Sequence, residues 1–519
     1  MTKKIRFTIF SILGALVALL ISVILINTFL KNKVENFITT RLPDNITQTY
    51  EHLDLDSFNG TLTFKNVTVG IKSKVKDSIH TTVNVSEFVI EDISYWDYLV
   101  NSEIRIEDIK LRKPEIIYRK HHFTPPKDSA KPLMKIFKPI RIDELSIDNA
   151  TLTILDKGKA EIVLYSENTT VEIDDILISA ATLSNRLPFE FGDYDAKSDS
   201  IFVKMNPYEN LSAKNFLLKN HTATVENIKL KTKYSKSELS RIIPKERDHF
   251  NVDLEKLTLQ NINFGFQKRK LFFKSSSITF DQISAAIYRD KLVKDDPIIK
   301  PLYSKLLREL PFDLTIDSAY VNKGNLIYKE RIKEDNSGGS VSFKNVEAKV
   351  YNVSNTYKSP SKTKINANAT FMKNTPFTID WSFDVNNLTD RFLVKVDVGA
   401  INATDLNQFT EPNLGIRLTG ALNKTYMTTS GDRNIARSDM KINYDDFKVN
   451  ILDKDGKEKN KLLSAIANIF ISKDSKKDTD NYREASFEVT PNRTKSFFNY
   501  AWLNIKEGLI KSMTGRNKD

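Results

Sequence analysis

Few residues of this sequence have types and spacings that could do chemistry. Six histidines occur, at His52, His80, His121, His122, His221 and His249, and no His-Glu-x-x-His string joins any two of them. His121 and His122 could together touch a metal ion. They stand in a proline-rich loop without further ligands, however, and read as a solvated pair. There is no cysteine, which excludes disulfides, thiolate metal sites, iron–sulfur clusters, thiol catalysis and an N-terminal lipidated cysteine. No phosphate-cradling glycine loop or Gly-x-Ser-x-Gly elbow is present. The acid pairs Asp174-Asp175 and Asp445-Asp446 fall where strands are expected to bend, so a turn role accounts for them. Asp295-Asp296, followed by Pro297, reads as the cap of a helix. The aromatic residues are scattered and form no stacking platform for single-stranded nucleic acid. The expectation is a protein without catalytic residues, metal or cofactor, and not an enzyme.

What must then be explained is an apolar pattern on a basic chain. Lys and Arg number 78 against 66 Asp and Glu, a formal charge of +12 over 519 residues, which suits an anionic partner. Phe7 to Leu30 is an uncharged run preceded by Lys3, Lys4 and Arg6. As a helix of about 24 residues it would reach about 36 Å, enough to cross a bilayer core. It reads as an uncleaved single-pass anchor with a cytoplasmic N-terminus and the body translocated. That makes phospholipid, rather than nucleic acid, the expected anionic partner. The Asn-x-Ser/Thr triplets, such as the one at Asn45, are what an Asn-, Ser- and Thr-rich chain makes by chance.

Past residue 50 the apolar residues alternate with polar ones, the sign of strands. A more specific unit recurs: apolar residues at i and i+2, a slip of one, then apolar residues at i+5 and i+7. Copies begin at Leu62, Phe88, Ile104, Leu145, Val171, Leu257, Ile278, Leu314, Val341 and Ile442, and Phe64-Lys65-Asn66-Val67 recurs verbatim at Phe343–Val346. Because strand side chains alternate faces, a three-residue gap would put the second apolar pair on the wrong side; one extra bent residue restores it. The slip usually holds Asn, Asp, Glu or Ser. Many such units in series make a long, coiled, repetitive antiparallel sheet with one continuous apolar face. Taken as about 400 residues in strands and turns of about 12 each, the body would hold about 33 strands and run about 160 Å.

The sequence offers little to cover such a face. Short helices are expected at Asp296–Glu309, Ser235–Ile243 and Leu462–Phe470, and polar loops at Lys120–Pro139, Glu334–Gly339 and Lys473–Asn481. The face is therefore either folded on itself as a packed core or left open to acyl chains. Candidates to line it are Leu62, Phe64, Ile147, Leu152, Leu259, Phe264, Phe280, Phe343 and Tyr444. From Arg493 the pattern turns helical: Phe498, Trp502, Ile505, Leu509 and Met513 share one face, with Lys495, Lys506, Lys511 and Arg516 nearby. Such a helix can lie on an anionic membrane surface, dock a partner, or cap the sheet. Three segments follow: residues 1–33 as tail and anchor, 34–490 as the β-rich body, and 491–519 as the basic amphipathic helix.

The anchor, followed by Phe58-Asn59-Gly60-Thr61-Leu62-Thr63-Phe64-Lys65-Asn66-Val67, resembles the AsmA-like family of bacterial envelope proteins, in its branch from Bacteroidetes-type bacteria. The stretches Ile104 to Ile116, Ile140 to Ile154, Gly324 to Tyr328 and Gly339 to Phe343 carry the same likeness. The resemblance implies an inner-membrane protein with its body in the periplasm. It also implies a U-shaped β-groove and a part in outer-membrane biogenesis by moving phospholipid between the inner and outer membranes. The C-terminal helix would then meet the outer membrane or an envelope partner. It offers no catalytic residues. The other class of function open to such a chain is a structural or assembly factor of the envelope with an internally packed body.

Overall fold

A computed structural model of the chain describes residues 28–29, 31–32, 45–73, 77–122, 138–156, 161–185, 187–267, 270–453, 474–476 and 479–514. The expected anchor Phe7–Leu30 except Thr28 and Phe29, the helix at Leu462–Phe470 and most of the Lys120–Pro139 loop lie outside these residues. Among the described residues, 23 strands join in one mixed sheet, and no helix is long and apolar enough to cross a membrane. The protein is mainly β, as the alternation requires. The strands are fewer than expected and longer, up to 21 residues, because the slip bends a strand without ending it.

The chain divides into two compact units, Met1–Lys204 with Ser212–His221, and Met205–Leu211 with Thr222–Asp519. In the first lie β1 (Ile46–Thr49), β2 (His52–Asp56), β3 (Thr61–Lys72), β4 (Ile79–Ile93), β5 (Ile104–Arg112), β6 (Glu115–Arg119), β7 (Ile140–Leu155), β8 (Ile162–Ile178), β9 (Tyr194–Lys204) and most of β10 (Glu209–Lys219). The second continues with β11 (Thr222–Thr232), β12 (Asp248–Gln260), β13 (Asn263–Gln267), β14 (Lys270–Asp290), β15 (Asp313–Arg331), β16 (Gly339–Ser354), β17 (Thr363–Phe371) and β18 (Thr375–Phe383). It closes with β19 (Phe392–Val398), β20 (Ile401–Asn402), β21 (Ile416–Gly431), β22 (Ala436–Ile451) and β23 (Arg483–Val489). Helices α1 (Lys236–Ile242), α2 (Tyr303–Arg308), α3 (Asn407–Leu414) and α4 (Phe497–Thr514) belong to the second unit.

The expected wholly antiparallel order is corrected at one step in each unit. β5 and β6 run parallel to β7, and β14 runs parallel to β15. Ile140 at the start of β7 stands beside Ile104 at the start of β5, and Asp313 at the start of β15 beside Phe272 near the start of β14, so more than a hairpin separates each parallel pair.

The slip residues are the physical key to the strands. In eight of the ten copies the fifth residue sits in the left-handed region, with φ between 47° and 56°: Asn66, Asp92, Asn149, Asp175, Asn261, Gln282, Asn345 and Asp446. Asn and Asp tolerate this region better than other side chains. Asp108 and Ser318, in the remaining two copies, do not adopt it. Where one strand bends, its neighbour bends beside it. Lys65 pairs with Glu87 and Val67 with Val85, so the register is the same on both sides of Asn66. The parallel register places left-handed Lys113 beside Asn149, and Gln282 beside left-handed Lys323. The slip is thus a crease that crosses several strands together. Gly420 (φ +93) joins it opposite Asp446, whose carbonyl oxygen would lie 2.4 Å from any Cβ at that position.

Two helix expectations meet different outcomes. α1 starts at its expected cap: the Ser235 hydroxyl accepts from the Glu238 amide, and the Glu238 carboxylate accepts from the Ser235 amide. The helix expected from Asp296 begins instead at Tyr303. Pro301 disfavours helical backbone at Lys300, so the chain stays extended until it has passed the second proline. Asp296 accepts from the Ile298 amide and pairs with Lys300 and Lys245. α3, with Pro412 inside it and Gly415 as its left-handed cap, carries no apolar repeat that would announce it.

Asn149 is exposed and left-handed, so its backbone conformation can be tested apart from packing. Asn149→Val should cost about 1–2 kcal/mol, whereas Asn149→Gly should leave the urea midpoint nearly unchanged.

Candidate functional site: an apolar face and its helical cover

Cross-strand register assembles the apolar residues into rows. In the first unit, Phe64, Phe88, Leu111, Ile147 and Val171 are successive partners across five strands. Leu62, Ile90, Ile109, Leu145 and Ile173 form the row beside it. Beyond the crease, Val83, Ile116 and Leu152 continue the same face. One margin is packed, where Leu53, Leu62 and Phe64 are buried together and Phe64 stacks on Phe88 at 5.8 Å. At another, Ile106, Ile142 and Ile176 are buried with Phe189 and Phe191 against them.

The second unit carries the longer rows. Val225, Leu257, Phe280, Val321, Ala348, Ala367, Ile379, Val396, Met427, Met440 and Ala485 are successive partners across eleven strands, without one polar interruption. At about 4.8 Å per strand this row is about 48 Å long. Beside it run Ala223, Leu259, Ile278, Ala319, Val350, Ile365, Trp381 and Val394, ending on Thr429, Ser438 and Phe487. The opposite face is polar and salt-bridged: Asp397 meets Lys424 at 2.5 Å, Lys441 meets Glu484 at 2.8 Å, and Asn366 donates to Asp380. An antiparallel sheet with one wet side has this alternation.

Burial along the first row changes in one direction. From Val225 to Val396 the side chains are half-buried, and Met427, Met440 and Ala485 are buried. α4 causes the change by packing on β22 and β23, where Leu509 meets the Met427–Met440–Ala485 cluster. The face it presents is Tyr500, Asn504, Gly508 and Ser512, one residue per turn, with Met513. Gly508 permits the approach, since a Cβ there would lie 2.5 Å from Met440 Cε and 2.9 Å from Phe487 Cζ. Where row two turns polar, the Ser438 hydroxyl donates to Asn504 Oδ1 at 2.7 Å and also bonds Thr429, while Asn504 Nδ2 donates to the Tyr500 carbonyl. The polar residues in the row are therefore satisfied by the helix.

This arrangement sorts the residues singled out in the sequence. Leu62, Phe64 and Tyr444 are buried in cores; Ile147, Leu259 and Phe280 are half-buried on the rows, and Leu152 and Phe343 half-buried beyond the crease; Phe264, on short β13, is 42% exposed. Phe343 gathers Phe371 and Phe377 at 5.1 and 5.2 Å. On α4 the expected apolar stripe is divided. Met513 is 4% exposed within a core, Leu509 packs on the sheet, and Trp502 meets Phe409 edge to face. Phe498 and Ile505 stay 67% and 37% exposed. Sequence reading missed the docking stripe because Asn504, Gly508 and Ser512 are not apolar; their four-residue spacing was its one signal.

Charges fix the start of α4. The Glu246 side chain is 4% exposed and accepts from Lys291 at 2.7 Å and from Lys495 at 2.9 Å, and Lys495 reaches Asp295 at 2.5 Å. Burial alone would raise the Glu246 pKa, but the hydrogen bonds from Lys291 and Lys495 outweigh it and hold the carboxyl below its usual range. Burial likewise pulls Lys495 down, and its bonds to Asp295 and Glu246 more than reverse this. α2 is pinned in its turn: Arg308 and Ser304 donate to buried Asp390 at 2.8 and 2.9 Å. Asp295 and Asp296 are thus ion-pair partners of lysines rather than helix caps. Among the described residues no three His, Asp or Glu side chains gather as a metal site.

No family model matches this chain, and no curated protein matches it.

Two expectations follow. Gly508→Val should loosen α4 by about 1–3 kcal/mol, read as increased proteolysis ahead of Phe497. The Glu246 contribution is complete above an ordinary carboxylate pKa of about 4.3 and is lost as pH falls through its lowered folded value. Near-UV circular dichroism of the Trp502 environment should therefore change on acidification. Glu246→Gln should cost about 3 kcal/mol at pH 7 and flatten that acid transition.

Proposed function

We propose that this chain is a non-enzymatic lipid carrier of the bacterial envelope, similar to the AsmA-like family. In this reading Phe7–Leu30 anchors it in the inner membrane with the N-terminus in the cytoplasm. The body stands in the periplasm as a U-shaped groove, and phospholipid passes along it toward the outer membrane. The observation that carries the reading is the unbroken apolar row of eleven strands, half-buried over its first eight, backed by a polar face. A row of this kind suits acyl chains. Each methylene removed from water contributes roughly 0.8 kcal/mol, and apolar contact is non-directional, so a chain can shift along the row without breaking hydrogen bonds.

The closing of the face by α4 favours a structural role for the C-terminal part, where Tyr444 lies in one buried cluster and Met427 and Met440 in another. The carrier surface is then the stretch from Val225 to Val396. The exposed side of α4, with Phe498 and Ile505, is left to meet a membrane or an envelope protein.

Native mass spectrometry of the full chain extracted in a mild detergent tests the carrier. Several phospholipids per chain are expected. Ile379→Lys, in the middle of the row, should lower the bound lipid by more than about tenfold, since a lysine there stands among apolar neighbours. Thr378→Lys, on the opposite face, should not. Wild-type protein without bound lipid would exclude the reading.

A further inference from the structure

A cavity of about 350 Å³ opens where the residue 291–312 crossover meets the start of α4, bordered by Ile299, Leu302, Arg433, Arg493 and Phe497. Its border also carries Lys300, Lys305, Lys495, Glu309 and Asp390. These five are committed to other charges. Lys300 pairs with Asp296, Lys305 with Glu309 at 3.6 Å, Lys495 with Glu246 and Asp295, and Asp390 with Arg308 at 2.8 Å. Arg433 and Arg493 are left, both exposed, as guanidinium groups that make no ion pair among the described residues. The chain places two uncompensated arginines at one cavity, and a guanidinium matches a phosphate oxygen pair in shape and charge.

The other wall is apolar and belongs to the face already described. Phe497 lies flat on Trp381, with ring centroids 4.5 Å apart and planes 2° apart, and Tyr303 meets the same indole at 5.3 Å. Leu302 and Phe497 pack against the same buried cluster, Phe383, Val385, Phe392, Ala436 and Tyr500, as Ile365, Trp381 and Val394, three members of the second row. The cationic cavity therefore adjoins the apolar row at the point where α2 and α4 cover it. Its volume suits a headgroup.

We propose that this cavity binds a phosphate ester anion, with Arg433 and Arg493 as its ligands, and so holds the charged end of an amphiphile whose tails lie against Trp381 and the second row. The assignment rests on the carrier reading for its tails but not for its phosphate, and the test separates the two. Full-length protein in a maltoside detergent is titrated with dihexanoyl phosphatidylglycerol, with dihexanoylglycerol (the same tails without phosphate) and with inorganic phosphate. Wild type should prefer the phosphatidyl lipid by roughly tenfold. Arg433→Gln with Arg493→Gln should equalise the two lipids while leaving dihexanoylglycerol binding unchanged, and the paired lysine variant should recover part of the preference. Competition by inorganic phosphate, lost in the glutamine variant, would assign the site to the free anion as well. Preference without such competition assigns it to the headgroup. A wild type that binds both lipids without distinguishing them, or a glutamine variant that still distinguishes them, overturns the site. Phosphate binding that depends on the arginines, with neither lipid bound, would uphold the site and remove the carrier.

Discussion

One backbone constraint governs this protein: a strand that carries apolar residues on both sides of a three-residue gap must turn over between them. A single left-handed residue accomplishes the turn, and Asn or Asp supplies it at small conformational cost. Since Asn149 lies beside Lys113, and Gln282 beside Lys323, neighbouring strands turn together. Pairing survives the crease, and the apolar side stays the same side from one strand to the next. Without that agreement each row would end at the first mismatched strand.

Covering such a face is a separate problem, and the second unit solves it at one end. α4 brings a stripe of small and polar residues to the sheet where the row itself turns to Thr429 and Ser438. The helix is held there by shape at Gly508 and by charge at Lys495. The cluster of Glu246, Lys291, Asp295 and Lys495 links β12's approach, the crossover and the C-terminal helix through one buried carboxylate. Over the remaining eight strands the first row holds half-buried Val, Ile, Leu, Phe and Ala, a composition that favours contact with flexible hydrocarbon.

Much of this was legible in the residues. The period-two alternation located the strands, and the i, i+2, i+5, i+7 spacing located the creases, because both follow from side-chain direction alone. The parallel steps were not legible: whether a long connection crosses over depends on which strand edge is free when the chain returns. The helix start at Tyr303 was hidden behind Pro297, which is a good first helical residue, by Pro301, which is not compatible with a helix continuing through it. Rows two and four residues apart in a strand look alike in sequence, so Tyr444 in a core and Phe280 on the half-buried face could not be distinguished. The cationic cavity draws on residues 299–302, Arg433 and Arg493, which no local pattern connects.

Register with nearest neighbours has a consequence for how such a surface changes length. From β15 to β18 each strand pairs with the strand before it and the strand after it, so the ladder itself does not depend on how many strands it holds. An inserted or deleted hairpin would lengthen or shorten the apolar row by about 9.6 Å while leaving the ladders on either side intact. Architectures that interact only between neighbours accept such changes readily. The reach of the paired ladder is thus an inheritable variable in units of two strands, bounded by the contacts that α3 makes at Gly339 and α4 at Trp381.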